Sequence, residues 1–356
     1  MIVVAAKGSA YARGRAQESA APAEVVRHAT IRRVEQARAE GLIDAEATAY
    51  LAAQRRFHAT HDPDGMAELL GIAEAFGLAE PDLFAHLHLG TLRDMKGGAA
   101  LIDGCSAWAV GQGPEGPLVV KNRDVSGALR GVQCVLRHEG PGIETGQVLS
   151  LSSLGSLAAW SSGVNAAGLA LADTQVAVNR HRTGWLRYFL MPRLLARAAT
   201  VAQALRLIRS LPHAGGGTLV MADRGGATAA VELSASGPVI ATGDTQWRTN
   251  HFTAPEVAGE TLGLDAARPD DSIGGNSRAR FACLSGALPG RDWSASAAKA
   301  LMATHPGAGG APICQHPDGD ESETISCAIY SCRLGGMEIS DGTPCLGRWQ
   351  AMEPCR

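Results

Sequence analysis

Ile102-Asp103-Gly104-Cys105-Ser106-Ala107-Trp108 is the stretch on which the reading of this chain turns, because its cysteine has both a use and, further along the chain, partners. Gly104-Cys105 reads as a cut site and a nucleophile at once. Cleavage after Gly104 would free an α-amine, of ordinary pKa about 7.7–8.0, beside a thiol of ordinary pKa about 8.5. A base and a nucleophile would then share one residue, which answers the main weakness of a catalytic thiol, that only its thiolate attacks. Gly116-Pro117-Leu118-Val119-Val120-Lys121-Asn122-Arg123-Asp124 reads as a strand returning from a turn, so that Asp124 could orient the new amine. The plain alternative is a buried cysteine that behaves as a small hydrophobe.

Composition sets the class. The 356 residues are 46% hydrophobic and 19% charged, enough for a sizeable core and unlike a disordered chain. A net charge of −3 leaves no basic footprint for nucleic acid or an anionic membrane. Met1 to Ala6 is apolar, but Lys7, Arg13 and Arg15 come at once, so neither a secretory h-region nor a membrane span is expected, and the location expected is cytoplasmic. Eight cysteines show no Cys-x-x-Cys spacing. Five stand at or after Cys314, which leaves a disulfide open there, although a reduced compartment is preferred.

Before Cys105 the chain reads as mainly helical. Helices are expected from Pro22 to Glu40 before Gly41, from the cap Asp44 to about residue 58, from about Asp64 to Phe76 before Gly77, and from Pro81. After Cys105, short runs of Val, Leu, Ile and Ala between Gly, Asn and Asp turns read as strands of a sheet. Helical patterning returns at about 185–198, at 201–209 after Thr200, and at 294–303, whereas His305 to Asp320 reads as one long loop. The richness in alanine and glycine reads as a genome-composition effect.

Several motifs are weighed and set aside. Gly111-Gln112-Gly113-Pro114-Glu115-Gly116 matches the dinucleotide fingerprint literally, but flanking prolines and a strand directly after it make it a hairpin turn. The pairs His58/His61 and His86/His88 lack a third ligand nearby, so no metal and no cofactor is expected. No Gly-x-Ser-x-Gly elbow supports a serine hydrolase.

Four motifs in order, Asp103-Gly104-Cys105-Ser106-Ala107-Trp108, Lys121-Asn122-Arg123-Asp124, Gly163-Val164-Asn165-Ala166-Ala167-Gly168-Leu169 and Trp247-Arg248-Thr249-Asn250-His251, resemble the acyl-coenzyme A:6-aminopenicillanic acid acyltransferase family. Its members are N-terminal-nucleophile (Ntn) hydrolases, related more distantly to bile salt hydrolases and penicillin V acylases. The resemblance extends from Ala6-Lys7-Gly8-Ser9, which looks like the family's opening strand and turn, to Cys327-Ala328-Ile329-Tyr330 and Gly342-Thr343-Pro344. It implies an α+β fold, a four-layer αββα sandwich made as a precursor that cuts itself between Gly104 and Cys105. The products are a light fragment of residues 1–104 and a heavy fragment of 105–356, which stay associated as one compact unit. It also implies an amidohydrolase acting through a thioester on a small N-acyl amide, with acyl transfer to an amine as the alternative. An unprocessed, non-catalytic binding relative is the alternative of another class, and a homo-oligomer is left open.

The same resemblance implies the site residues. Cys105 is the expected nucleophile, Asp124 the partner of its amine, and Asn250 the donor to a developing oxyanion. Lys121 stands where the bile salt hydrolase branch carries an arginine near its nucleophile and the penicillin acyltransferase a neutral residue; a strand-edge lysine in solvent is the competing account. Arg278, in Asn276-Ser277-Arg278-Ala279-Arg280, resembles the Ser-Arg step that places a guanidinium near the thiol, with Arg280 as the competing choice. Where the penicillin acyltransferase carries Ser-Arg-Gly, this chain has Asp318-Gly319-Asp320-Glu321-Ser322-Glu323, an acidic stretch that would favour an amine-bearing acceptor unless it is a solvated loop tip.

Overall fold

The computed structural model describes residues 1–98, 104–263, 272–305, 313–316 and 322–356. Among the described residues, seven helices fill most of the chain before Cys105: α1 (Ala10–Arg15), α2 (Ala23–Ala29), α3 (Ile31–Ala39), α4 (Ala45–His61), α5 (Pro63–Ala75), α6 (Glu80–Leu87) and α7 (Leu89–Asp94), after an opening strand β1 (Ile2–Lys7). The expected stops and caps are in place. Asp44 accepts from the Ala47 amide at 2.9 Å, and Gly41 and Gly77 take the left-handed conformation that ends a helix. The helix expected over Pro22 to Glu40 is two helices. It breaks at Thr30, whose backbone leaves the helical region while its hydroxyl donates back to the Val26 carbonyl at 2.7 Å.

The remaining strands are β2 (Gly104–Val110), β3 (Leu118–Val125), β4 (Gln133–Glu139), β5 (Val148–Ser153), β6 (Ser162–Asn165), β7 (Ala170–Thr174), β8 (Thr218–Ala222), β9 (Thr228–Ser234), β10 (Gly237–Thr242), β11 (Thr245–Arg248), β12 (Glu323–Ser331), β13 (Gly336–Ser340) and β14 (Trp349–Met352). Helices α8 (Arg187–Arg197), α9 (Val201–Arg209), α10 (Ser272–Ala287) and α11 (Ala295–Met302) complete the elements. Thr200 and Ser294 cap α9 and α11. Three helices are not evident from sequence pattern: α1, whose residues read as a turn, α7, which follows the helix expected from Pro81, and α10 at its full length.

Two sheets result. One has the order β1-β4-β5-β6-β7-β8-β9-β10, with β1 parallel to β4; the other has the order β11-β2-β3-β12-β13-β14. Their facing surfaces share one buried cluster, in which Ala107, Ala109 and Ala328 meet Ala170, Ala172, Ala222 and Ala230 among valines and leucines. Those alanines have a packing use, since small side chains let two sheets approach closely. The outer face of the first sheet is covered by the helices of the first third of the chain together with α8 and α9. That of the second is covered by α10 and α11, through Trp108, Val120, Leu284, Trp293 and Met302. The order of layers is thus αββα, the architecture expected from the sequence.

Strand alternation positions the site. Successive side chains of β2 and β3 point to opposite faces, so Ala107 and Val119 enter the space between the sheets while Trp108 and Val120 face α10 and α11. By the same parity Cys105, Lys121 and Arg123 lie on the inter-sheet side. Ser106, Asn122 and Asp124 lie on the helix side. Gly104 pairs with Asp124 and Cys105 with Arg123 across the ladder.

The Gly163-to-Leu169 motif has a structural role. Asn165, fully buried at the end of β6, donates from Nδ2 to the carbonyls of Leu195 and Ala198 at 2.8 Å each and accepts from the Leu169 amide at 3.0 Å. It ties the β6–β7 turn to the end of α8. Asn165→Ala is expected to lower the free energy of unfolding by about 2–3 kcal/mol, since it orphans buried backbone groups. Chemical denaturation checks this, and a variant within about 0.5 kcal/mol of wild type would contradict it.

Candidate active site

Cys105 is buried on β2 with its backbone amide donating to Asn250 Oδ1 at 2.9 Å. The same oxygen accepts from Arg280 Nη2 at 2.8 Å, while Asn250 Nδ2 donates to the Gln175 carbonyl at 2.8 Å. Two donors on the oxygen and a carbonyl beside the nitrogen fix which way the amide points. Asn250 is held in turn by Ser277, whose Oγ accepts the Asn250 amide at 2.8 Å. His251 lies 2.8 Å from that same oxygen, and burial with nearby Arg278 and Arg280 lowers its pKa to about 4, so its ring is neutral. The Trp-Arg-Thr-Asn-His motif is therefore a scaffold for one amide side chain.

Asp124 stands opposite Gly104 on the helix-facing side and accepts from Thr324 Oγ1 at 2.7 Å. A Cβ built on Gly104 would sit 3.3 Å from Asp124 Oδ2 and 3.2 Å from Arg280 Nη2, so glycine allows both charged groups to close on the backbone at this step. Among the described residues Arg280 is the arginine that reaches Cys105. Its Nη1 donates to the Cys105 carbonyl at 2.5 Å and to Ser106 Oγ at 3.1 Å, and its Nε to Asn276 Oδ1 at 2.7 Å. Arg278, the residue preferred from the sequence, is exposed. Helical spacing is the reason: on α10 a two-residue step turns a side chain through more than half a circle, so the two arginines cannot face the same way.

Lys121 is 1% exposed, which removes the account of it as a strand-edge lysine in solvent. Its ammonium pairs with Asp173 of the opposite sheet and donates to the Ser161 carbonyl at 3.2 Å. Asp173 also pairs with Arg187 of α8 at 2.8 Å. Burial pushes the Cys105 thiol up; Lys121 pulls it back down, while Asp173 and Asp124 add to the rise. Asp173 and Arg187 were not found from the sequence. The available signal was an acid inside the apolar run Ala170-Leu171-Ala172-Asp173, which a folded core tolerates only with a cation beside it.

The thiol opens on a small cavity of about 90 Å³. Trp160, stacked on Tyr188 at 3.6 Å and on His86 at 5.9 Å, forms an aromatic wall. Arg33, Arg93, Lys121, Arg123 and Arg187 line it, against Asp173 as the acid among the described lining residues. The helices before Cys105 supply Arg33, His86, Leu89, Gly90 and Arg93. No described residue of the acidic stretch lines it; of that stretch, 318–321 lie outside the described residues, and Glu323 pairs with Arg130 at 2.6 Å.

The model of the acyl-coenzyme A:6-aminopenicillanic acid acyl-transferase family matches residues 112–344. The chain belongs to that family. No curated protein matches the chain. Among solved structures, a variant of the conjugated bile acid hydrolase from Clostridium perfringens is similar at 12% identity and a TM-score of 0.45, covering 70% of this chain and 92% of that one. Penicillin V acylase from Agrobacterium tumefaciens is similar at 14% identity and a TM-score of 0.39, covering 67% and 82%. No described helix is long and apolar enough to cross a membrane.

The placement of Lys121 has a measurable consequence. In Lys121→Met the thiol loses its buried cation while Asp173 remains, so alkylation of Cys105 by iodoacetamide at pH 8 should slow by a factor on the order of ten. The thiolate fraction rises with pH in both proteins, and the variant's curve should be displaced to higher pH. Peptide-resolved mass spectrometry reads the rate, and superimposed curves would exclude the electrostatic coupling.

Proposed function

We propose that the chain cuts itself between Gly104 and Cys105 and then works as a cysteine amidohydrolase on small N-acyl compounds. What chiefly supports this reading is that the Cys105 nitrogen already lies against Asn250 and beside Asp124, while its thiol faces a cavity. Scission would turn that amide into an α-amine without moving it, leaving a proton acceptor on the nucleophile's own residue. The Cys105 thiol passes its proton to the amine, and the sulfur attacks the substrate carbonyl. The carbon–nitrogen bond breaks as the amine returns the proton to the leaving nitrogen, and water then cleaves the thioester to give the free acid. Asp124 and Asn250 Oδ1 hold the amine. The second hydrogen of Asn250 Nδ2, one being given to Gln175, serves the tetrahedral oxyanion.

The light and heavy fragments, 1–104 and 105–356, remain together in this reading. Strand β1 is built into the larger sheet beside β4, and the helices before Cys105 share one buried cluster with α8, α9 and the sheet. Intact-mass analysis should find two fragments in wild type and one uncut chain in Cys105→Ala. A wild-type protein that stays whole after prolonged incubation would favour the alternative, a non-catalytic binding relative.

The cavity's charge bears on the substrate. Five cations against one acid favour a compound with a carboxylate or similar anionic group, whereas the acidic stretch Asp318 to Glu323 would favour an amine-bearing acceptor only if it faced the site rather than forming a solvated loop tip. Acyl transfer to an amine is the second reading, favoured by the family match. A panel of N-acyl amines and N-acyl amino acids, assayed for release of free amine, tests the first reading. The anionic members should turn over at least about tenfold faster, as one favourable charge contact of about 1.4 kcal/mol would give. Acyl-amine product formed only from a thioester donor would instead establish transfer, and equal rates across the panel would sink the charge argument.

A further inference from the structure

Outside the cavity, His305, Cys314, His316 and Cys345 bring four ligand atoms together, all within 4.8 Å of one another. His316 Nε2 stands 3.0 Å from His305 Nε2, 3.6 Å from Cys314 Sγ and 3.3 Å from Cys345 Sγ. A tetrahedral zinc ion with bonds of about 2.0–2.1 Å to nitrogen and about 2.3 Å to sulfur needs ligand atoms roughly 3.3–3.8 Å apart. The three spacings to His316 fall within a few tenths of an ångström of that cage, and the other three pairs lie within 4.8 Å. Two thiolates and two imidazoles are the donor set and shape that zinc prefers over magnesium or calcium.

We propose that these four residues bind one zinc ion as a closed structural site. Binding is balanced by the release of two thiol protons to solvent, so that two thiolates neutralise the ion. Four protein ligands leave no open position for a substrate or water, so the ion has no part in the chemistry.

Its effect is to brace the active site, a consequence that rests on the role proposed above for Asp124 and on Arg280 holding Asn250; metal binding itself does not. Gln315, between two of the ligands, exchanges hydrogen bonds with Thr324: its amide donates to Thr324 Oγ1 at 2.8 Å, and its carbonyl accepts from the Thr324 amide at 3.0 Å. The Thr324 hydroxyl is the one that donates to Asp124. The Gln315 side-chain oxygen accepts from Asn276 at 3.0 Å, and Asn276 holds Arg280. One tetrahedral clamp thus fixes the strip of backbone from which both charged groups are positioned. From sequence no metal is expected, because the pairs His58/His61 and His86/His88 lack a third ligand nearby; the fold instead gathers His305 and His316 with Cys314 and with Cys345, which is remote in the chain.

The test is metal content of the full chain, purified under reducing conditions without chelators and offered zinc. Native mass spectrometry should find about one zinc per chain, as four ligands imply. With cobalt in its place, the visible bands of a tetrahedral cobalt–thiolate site should appear. Both signals should be lost in Cys345→Ser and in His305→Ala, the latter at an exposed position where folding is not at stake, and kept in Cys355→Ser. The Cys105→Ala precursor should bind equally well, which separates this result from any failure of catalysis. Chelation should speed amide exchange at 313–316 and Thr324 at least fivefold while leaving β4 and β5 unchanged. Protein that takes up neither metal under reductant, zinc retained by both ligand variants, or a Cys314–Cys345 disulfide in freshly reduced protein would overturn the site. Unchanged exchange on chelation would overturn the bracing.

Discussion

The two-residue alternation of β2 and β3 is the constraint on which the site depends. These neighbouring strands lie inside a sheet that is covered on both faces, so every side chain they carry enters either the inter-sheet layer or the layer under α10 and α11. Cys105 and Lys121 fall on one side, Asp124 on the other. Because Gly104 pairs with Asp124, the carboxylate meets the backbone at the Gly104-Cys105 step while the lysine lies on the sulfur's side of the strand pair, close enough to pull its pKa down. A slip of one residue in this ladder would exchange the two faces and separate every partner from its group.

Burying charges at such a place is costly, and the fold meets the cost with partners drawn from distant elements. Lys121 comes from β3, Asp173 from β7 of the other sheet and Arg187 from α8, and together they hold two cations and one anion in the interior. Removing Asp173 would leave two buried cations uncompensated, which is far more destabilising than the network is stabilising. Such a network favours one arrangement of the two sheets over others, and it supplies a cation to a thiol that burial otherwise keeps protonated. Glu232 plays a comparable part under the Asn250 loop, accepting from Arg248 at 2.9 Å and from the amides of Thr253 and Ala254.

The helices before Cys105 form more than a cover. They close one side of the cavity with Arg33, His86 and Arg93, and their apolar faces belong to the same core as α8 and α9. A scission at the start of β2 would therefore release a chain end without releasing a layer. In the proposed reading catalysis and cohesion are kept apart in space: the first would use a freed backbone nitrogen at the start of β2, the second a continuous apolar layer beneath it.

The sequence by itself determined what depends on local chemistry. Helix caps at Asp44, Thr200 and Ser294, the stops at Gly41 and Gly77, the hairpin at Gly116 and the strand character after Cys105 were legible because each is set by neighbours in the chain. The order of the motifs around Cys105, Asp124 and Asn250 was legible as well. Only the tertiary structure decided which arginine of α10 reaches Cys105, that Lys121 is buried with Asp173 and Arg187, that Asn165 is a tie between turn and helix, and that Cys345 joins two histidines and Cys314. These depend on the facing of elements far apart in sequence, and no single strand or helix carries the direction in which its neighbour will lie.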